Sequence, residues 1–192
     1  GWMRDETGLD KTAANFVPLT PLSHLRRAAK IFPHHEALVY GSFRKTYAEY
    51  YERCTRLASA LAKMGVQPGD VVATVLPNIP AHVEAHFGVP ACGGVLNAIN
   101  IRLEAETISY IFEHGEAKVV LVDPQFMNVV QDAIAQMNGP APQIIEVADD
   151  QGGVHAATEY PEYEEFLAGG DPDFDWVMPK DEWESLALNY TS

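Results

Sequence analysis

Two hydroxyl residues, Thr191 and Ser192, follow the short apolar stretch 185–190 at the end of the sequence. That stretch has the length and composition of a buried strand. A loop after a strand can point backbone N–H groups and hydroxyls at a phosphate chain, usually with glycines and a lysine in the same loop. Thr191 and Ser192 are therefore candidate phosphate ligands. Without those glycines and that lysine, the two residues alone do not establish a phosphate site.

A second candidate is the pair Asn100 and Arg102, which follows the apolar stretch Val95 to Ile99. Ligands of α/β proteins gather beyond the carboxyl ends of the parallel strands. A guanidinium at that place can pair with a phosphate. Two ordinary alternatives remain open: an ion pair of Arg102 with Glu104 or Glu106, and a turn-forming role for Asn100.

Other polar residues have weaker patterns for metal chemistry. His82 and His86 lie four apart on a predicted helix, but the pattern is H-x-E-x-H rather than H-E-x-x-H, and no third ligand is near in sequence. Cys54 and Cys92 are far apart and are interpreted as small buried hydrophobic residues. The acidic run at 171–175 lacks the glycine and the distal glutamate of a calcium loop. We predict no metal site in this sequence.

One βαβ unit must position Asn100 and Arg102. The apolar run Val71 to Leu76 predicts a strand, and Gly93-Gly94 predicts the end of the helix that follows it. Asn78 is the predicted cap of that helix, and Pro80 fits its first turn. The second strand is Val95 to Ile99. The helix has apolar residues at helical spacing, which we expect to face the core: Val83, Phe87 and Ala91.

The remaining chain continues the alternation of strands and helices. We predict a helix from Pro21 to Phe32, a hairpin around Gly41-Ser42, and a long helix from Tyr47 that Thr46 caps and Gly65 ends. Two more strands are predicted, from Ala117 to Val122 and from Gln143 to Val147. Three more helices are predicted: one after Leu103 that ends at Gly115, one from Asp123-Pro124, and an acidic one from Tyr160 to Leu167. We also predict an aromatic patch against the sheet, formed by Phe174, Trp176, Met178 and Trp183. This order predicts an α/β fold, with a doubly wound, mostly parallel sheet and flanking helices.

The stretch Pro77 to Leu103, above all H-F-G-V-P-A-C-G-G-V-L-N-A-I-N-I-R-L, resembles the adenylate-forming acyl-CoA ligases. It is most similar to the branch that handles short- and medium-chain, aromatic or methylthio carboxylates. Leu186 to Ser192 resembles the strand that leads into the family's phosphate loop, T-S-G-T-T-G-x-P-K-G. The resemblance implies two regions: an irregular segment 1–19, and at 20–192 the N-terminal part of the large AMP-binding domain, up to the start of that loop.

The resemblance also implies a reaction, in which a carboxylic acid is activated with ATP and Mg²⁺ to an acyl-adenylate and then transferred to coenzyme A. Thr191 and Ser192 would contact the ATP phosphates, and Arg102 and Asn100 would lie near the nucleotide of coenzyme A. The catalytic residues are expected after Ser192, so this chain alone is expected to be inactive. A homodimer is one assembly that the resemblance implies.

Composition limits the other classes of function. The formal charge of −14 argues against a nucleic-acid surface, which needs clustered Lys and Arg. The sequence predicts no membrane span and no signal peptide, and two distant cysteines suit a reducing cytoplasm. Two alternatives stay open. The chain could be a non-catalytic α/β binding module, although no G-x-G-x-x-G follows a predicted strand. It could also belong to an adenylate-forming enzyme with another acceptor.

Overall fold

The computed structural model describes residues 21–148 and 159–177. Its helices are α1 (Pro21–Ile31), α2 (Tyr47–Lys63), α3 (Pro80–Ala91), α4 (Ala105–Gly115), α5 (Met127–Ala135) and α6 (Tyr163–Ala168). Its strands are β1 (Glu36–Tyr40), β2 (Phe43–Thr46), β3 (Val71–Val75), β4 (Val95–Ala98), β5 (Val119–Val122) and β6 (Gln143–Glu146). The predicted strand at 185–190 and the segment 1–19 lie outside the described residues.

A four-stranded parallel sheet forms the centre of the fold, in the order β4-β3-β5-β6. In its register Thr74 lies opposite Ala98, and Val75 lies opposite Val122. The chain first crosses from β3 to β4 on one side and then returns to place β5 on the other side of β3. This arrangement confirms the predicted doubly wound α/β class.

Helices cover both faces of the sheet, because side chains alternate along each strand. Val72 and Leu121 point into the core beneath α1, α2, α3 and α6. Ala73 and Val120 point into a second core beneath α4 and α5. All four residues of β5 are buried, as expected for a strand with a helix layer on each face.

The hairpin and the start of α2 follow the sequence signals. β1 and β2 pair antiparallel around Gly41, whose φ of 57° lies in the left-handed region that glycine tolerates. The Thr46 hydroxyl accepts from the backbone N–H of Glu49, and the Glu49 carboxylate accepts from the backbone N–H of Thr46. This capping box fixes where α2 begins.

Helix α3 corrects two predictions. Asn78 does not cap it, because the N-cap is Ile79 and no side chain fills the cap. The predicted apolar stripe is confirmed at Ala91, which is fully buried, but Val83 is 38% exposed and Phe87 is only half-buried. The other buried residues of α3 are small side chains and one acid: Ala81, Glu84, Ala85, Gly88 and Val89. Small side chains are needed on the buried face of α3 because α2 and α3 approach each other closely. A Cβ on Gly88 would lie 2.5 Å from Leu57 Cδ2.

Three smaller differences concern the later elements. Gly115 is the last residue of α4, and the left-handed position after it is taken by Glu116, with a φ of 52°. The segment after β5 opens with a short 3₁₀ turn, Pro124–Phe126, before α5. Trp176 packs against Tyr51 of α2 rather than on the sheet, with ring centroids 4.7 Å apart. Phe174 is half-buried against the same core. The remaining predicted members of that patch, Met178 and Trp183, lie outside the described residues.

Candidate functional site

The carboxyl edge of the parallel sheet is where this topology places a ligand site. The order β4-β3-β5-β6 makes the loops after β3 and β5 leave in opposite directions, which opens a crevice between them. Backbone hydrogen bonds extend the ladder by one residue past the strands. Ile99 N donates to Thr74 O at 2.8 Å, and Asp123 N donates to Val75 O at 3.1 Å. The loops at 76–79, 99–103 and 123–126 therefore start from one edge.

Asn100 and Arg102 lie on this edge, in the turn after β4. The backbone N–H of Arg102 donates to Asn100 Oδ1 at 2.9 Å, so Asn100 shapes the turn as its ordinary role predicts. Arg102 is exposed. Within the described ranges no carboxylate lies within ion-pairing distance of its guanidinium, so the alternative of a pair with Glu104 or Glu106 is not realised. Among the described residues, no carboxylate neutralises this cation.

Thr191 and Ser192 lie outside the described residues. Their contact with ATP phosphates therefore stays a prediction, and so does their distance from Asn100 and Arg102.

Sequence reasoning missed two buried polar residues near this edge. Asp123 is fully buried at the end of β5, where its Oδ1 accepts from the backbone N–H of Gln125 at 2.9 Å and fixes the turn. Thr74 is 1% exposed in β3, and its hydroxyl has no hydrogen-bond partner among the described residues. A hydroxyl within an otherwise apolar strand is the signal that could have identified Thr74. Neither residue presents a free group to solvent.

A buried charged cluster connects α2, α3 and α6 on one face of the sheet. Glu84 is fully buried and accepts from Arg53 Nε, from Arg53 Nη2 at 3.2 Å, and from the Tyr163 hydroxyl at 2.8 Å. The same guanidinium donates to Glu164 at 2.9 and 2.8 Å. Sequence reasoning missed this cluster, because the partners of Glu84 lie far away from it in the chain.

The charges in this cluster stabilise one another, which favours keeping its ion pairs and hydrogen bonds intact. Burial raises the pKa of Glu84, and the hydrogen bonds and charge of Arg53 oppose that rise. Burial disfavours the charged form of Arg53, but its hydrogen bonds to Glu164 and Glu84 raise its pKa above the ordinary value. Removing one member would leave a buried charge without its partner, which is far more costly than the pair is stabilising.

The histidines and cysteines contribute no ligand set in residues 21–148 and 159–177, where no three metal-ligating side chains come together. The rings of His82 and His86 lie 4.9 Å apart, and burial together with the charge of His86 lowers the pKa of His82. Cys54 and Cys92 are buried free thiols, and burial raises the pKa of both. A protonated, buried thiol is chemically inert.

The described part of the chain thus places the exposed cation of Arg102 at the carboxyl edge of the sheet, next to a core packed on both faces. This arrangement can hold an anion such as a phosphate group. No helix in the described ranges is long and apolar enough to cross a membrane.

A family model and several similar proteins all assign the chain to one family. The family model described as AMP-binding enzyme matches residues 25–192. The acetate/butyrate–CoA ligase AAE7, peroxisomal, of Arabidopsis thaliana is 43% identical over 98% of this chain, which covers 35% of that protein. The acetate–CoA ligase CCL3 of Humulus lupulus is 41% identical over the same shares of both chains.

Among solved structures, the anthranilate CoA ligase AuaEII in complex with anthranoyl-AMP superposes with a TM-score of 0.76. The alignment covers 86% of this chain and 31% of that one, at 17% identity, so it supports the fold alone. The chain spans about a third of the length of the curated relatives it matches.

Proposed function

Because this chain belongs to the AMP-binding enzyme family, we propose that it is the N-terminal part of an acyl-CoA ligase that forms an acyl-adenylate intermediate. The single observation that carries the proposal is the 43% identity, across 98% of this chain, to a relative named as an acetate/butyrate–CoA ligase. The resemblance of Pro77 to Leu103 to the same family agrees with it. A free-standing binding module has no observation in its favour.

The proposed reaction has two halves. A carboxylate oxygen attacks the α-phosphorus of ATP, and pyrophosphate leaves with the electron pair of the broken P–O bond. The thiol of coenzyme A, after losing its proton, then attacks the acyl carbon, and AMP leaves. Mg²⁺ bound to the phosphates would neutralise charge during the first half. A mobile C-terminal domain would exchange the catalytic surfaces between the halves.

Four residues of this chain have proposed roles in that reaction. Thr191 and Ser192 would donate hydrogen bonds to the ATP phosphates. Arg102 would pair with a phosphate of the coenzyme A nucleotide, and Asn100 would hold the turn that presents it. The exposed guanidinium and the hydrogen bond from Arg102 N to Asn100 Oδ1 support the second pair of roles. The catalytic residues are proposed to lie outside this chain.

For the acid, we propose a short-chain carboxylate. Two similar relatives are named for acetate or butyrate, and an aliphatic acid of that size needs only a small apolar pocket. Medium-chain, aromatic and methylthio acids are the competing substrates. The relatives' names also favour coenzyme A over another acceptor for the second half-reaction.

The test is a search for the thioester itself. The full-length protein is incubated with ATP, Mg²⁺, coenzyme A and one acid at a time from acetate to octanoate, benzoate and a methylthio acid. Mass spectrometry should detect acyl-CoA and AMP in equal amounts, with acetate or butyrate preferred. The 192-residue chain is the control and should form neither. Detection of adenylate without thioester would contradict the proposed acceptor.

Compartment and assembly are part of the proposal. The buried free thiols fit a reducing compartment such as the cytoplasm, while AAE7 is named as peroxisomal, so either compartment suits the chemistry. A homodimer of the full-length protein is proposed from the resemblance. Its mass in solution, measured by light scattering, tests this directly.

A further inference from the structure

A basic segment lies within this acidic chain. Residues 21–46 contain five of the thirteen lysines and arginines of the chain but only one of its twenty-seven acidic residues. The five cations are Arg26, Arg27, Lys30, Arg44 and Lys45. The single acid, Glu36, forms an exposed ion pair with Arg44 at 3.0 Å. The formal charge of −14 therefore hides a surface of opposite sign, and such asymmetry is typical of a segment that meets an anionic partner.

Helix α1 presents cations of this segment to solvent. Its inner side is fixed, because Leu22 and Leu25 are almost completely buried in the core. Arg27, Lys30 and Ile31 are spaced three and four residues apart, which places them on one face of the helix, and all three are exposed. Among the described residues no carboxylate forms an ion pair with Arg27 or Lys30. The outer face of α1 thus carries positive charge that the described part of the chain does not neutralise.

Exposed apolar side chains lie beside these cations. The described ranges contain six exposed large apolar side chains, and three of them fall in this segment: Ile31 at 54%, Phe32 at 49% and Val39 at 50%. Ala28 of α1 and Leu38 of β1 line the same groove, so the hairpin that carries Val39 lies beside α1. Cations next to exposed apolar side chains are typical of a helix that lies in the interface of a bilayer, with its cations at the headgroups and its apolar side chains among the acyl chains.

Two other occupants fit this surface less well. Further chain of a longer protein would bury it, but the centre of a protein–protein interface is depleted of charged residues, and a cation buried without a partner is costly. A nucleic acid would use the cations but not the apolar side chains, because protein–nucleic acid interfaces are polar. An anionic bilayer uses both kinds of side chain.

We propose that the surface formed by α1 and the β1–β2 hairpin, which we call the basic face, docks the protein on a bilayer that contains anionic phospholipids. Arg27 and Lys30 pair with the headgroups, and Ile31 and Phe32 enter the boundary between headgroups and acyl chains. The contact is peripheral, since α1 has 11 residues and a helix that spans the hydrocarbon core needs about 20. This proposal does not rest on the proposed function, and its test measures binding rather than catalysis.

The experiment measures co-sedimentation of the full-length protein with lipid vesicles. One set of vesicles contains equal parts of phosphatidylserine and phosphatidylcholine, and the other contains phosphatidylcholine alone. Binding to the anionic vesicles should be strong at low salt and should weaken as salt is added, because salt screens interactions between exposed charges. Binding to the neutral vesicles should be far weaker at low salt.

Three variants test the basic face residue by residue. Arg27→Gln and Lys30→Gln should each weaken binding to the anionic vesicles about fivefold at low salt, because each removes one cation from the headgroup region. Both losses should shrink at high salt. Ile31→Ser should weaken binding about tenfold at low and high salt alike, since the burial of apolar surface is not screened. All three side chains are exposed, so the melting temperature should not change.

Two matched controls make the same chemical changes away from the basic face. Lys118→Gln removes one positive charge from an exposed lysine just before β5. Tyr110→Ser removes a ring that is 64% exposed on α4, the helix layer on the other face of the sheet from α1. Both variants should bind the anionic vesicles as tightly as the wild type does.

Three results would overturn the proposal. The first is equal binding to both kinds of vesicle, or none to either at low salt. The second is binding to anionic vesicles that Arg27→Gln and Lys30→Gln weaken no more than Lys118→Gln does. The third is binding of a single-stranded oligonucleotide, weakened by the same two substitutions, by a protein that binds no vesicle; this would assign the basic face to nucleic acid. None of these results bears on the proposed ligase activity, which the formation of the thioester tests separately.

Discussion

Gly170 permits residues 163–177, which we call the strap, to lie on α2, and its replacement gives a sharp prediction. A Cβ on Gly170 would lie 2.1 Å from the carbonyl oxygen of Arg56 and 2.8 Å from its carbonyl carbon. These are backbone atoms within α2, so no rotamer change relieves the contact. Gly170 does not have a positive φ, so an alanine is excluded by space and not by backbone conformation. The strap must therefore move outward by roughly 1 Å.

The cost can be estimated from what that movement breaks. Overpacking against a rigid helix costs about 1–3 kcal/mol. The hydrogen bonds from Arg56 to Gly170 O and from Asp171 N to Ser59 contribute about 1 kcal/mol each, and both lengthen. We expect Gly170→Ala to lower the free energy of unfolding by about 3 kcal/mol, which corresponds to a fall in Tm of roughly 6–12 °C for a chain of this size.

Gly169→Ala is the matched control, one residue away. Its Cβ would meet nothing closer than Phe166 O at 3.6 Å, an ordinary contact. Because alanine restricts the unfolded chain, this variant should be neutral or more stable by up to about 1 kcal/mol. Urea titration of both variants measures the difference, and exchange of the Trp176 indole N–H should accelerate only in Gly170→Ala. Equal stability of the two variants would refute the described packing of the strap on α2.

Three further predictions concern other parts of the chain. In the full-length protein, Arg102→Ala should raise KM for coenzyme A about tenfold and leave ATP–pyrophosphate exchange unchanged, because coenzyme A takes no part in the first half-reaction; a change in the exchange rate would place Arg102 elsewhere. Thr74→Val should stabilise the 192-residue chain by about 1 kcal/mol in urea titration, because it replaces a buried hydroxyl without a partner by a methyl group; destabilisation would show that the hydroxyl has one. Glu113 accepts hydrogen bonds from the backbone N–H groups of Asn138 and Gly139, which lower the pKa of its carboxyl. Its contribution to stability is therefore fully present above the pKa of the unfolded chain, about 4.5, and is lost as the pH falls through the lowered pKa of the folded protein. The difference in unfolding free energy between wild type and Glu113→Gln should therefore shrink at acid pH, and a difference independent of pH would contradict this.

The sequence predicted the sheet because each of its strands carries an unambiguous local signal. The four residues of β5, Val119 to Val122, are all apolar, and a fully buried parallel strand needs that pattern. The start of α2 was likewise predictable, because Thr46 and Glu49 satisfy each other's backbone N–H groups within one turn. Such signals are local, so they can be seen without knowing what packs against them.

What the sequence did not predict depends on contacts between distant segments. The buried face of α3 was misjudged in part, because the larger side chains Val83 and Phe87 were expected inside. Close approach to α2 instead selects Ala85 and Gly88 and leaves Val83 exposed. Glu84 went unnoticed because its partners lie at positions 53 and 163, far away in the chain. The same holds for the docking of Trp176 on Thr55 rather than on the sheet.

The candidate site was predictable only in part. Local turn chemistry gave the role of Asn100 beside Arg102, and the topology placed both on the ligand edge. The absence of a carboxylate partner for Arg102 in the described residues could not be read from the sequence, since Glu104 and Glu106 are close along the chain but form no ion pair with it. The phosphate-contacting role of Thr191 and Ser192 rests on resemblance and stays a prediction.

The proposed formation of an acyl-adenylate is tested by carboxylate-dependent ATP–pyrophosphate exchange with the full-length protein, without coenzyme A. This half-reaction requires the adenylate and nothing later in the cycle. We predict exchange that depends on a short-chain acid such as acetate or butyrate, and none from the 192-residue chain alone. A folded full-length protein that shows no exchange with any acid from acetate to octanoate, benzoate or a methylthio acid would contradict the proposed adenylate formation.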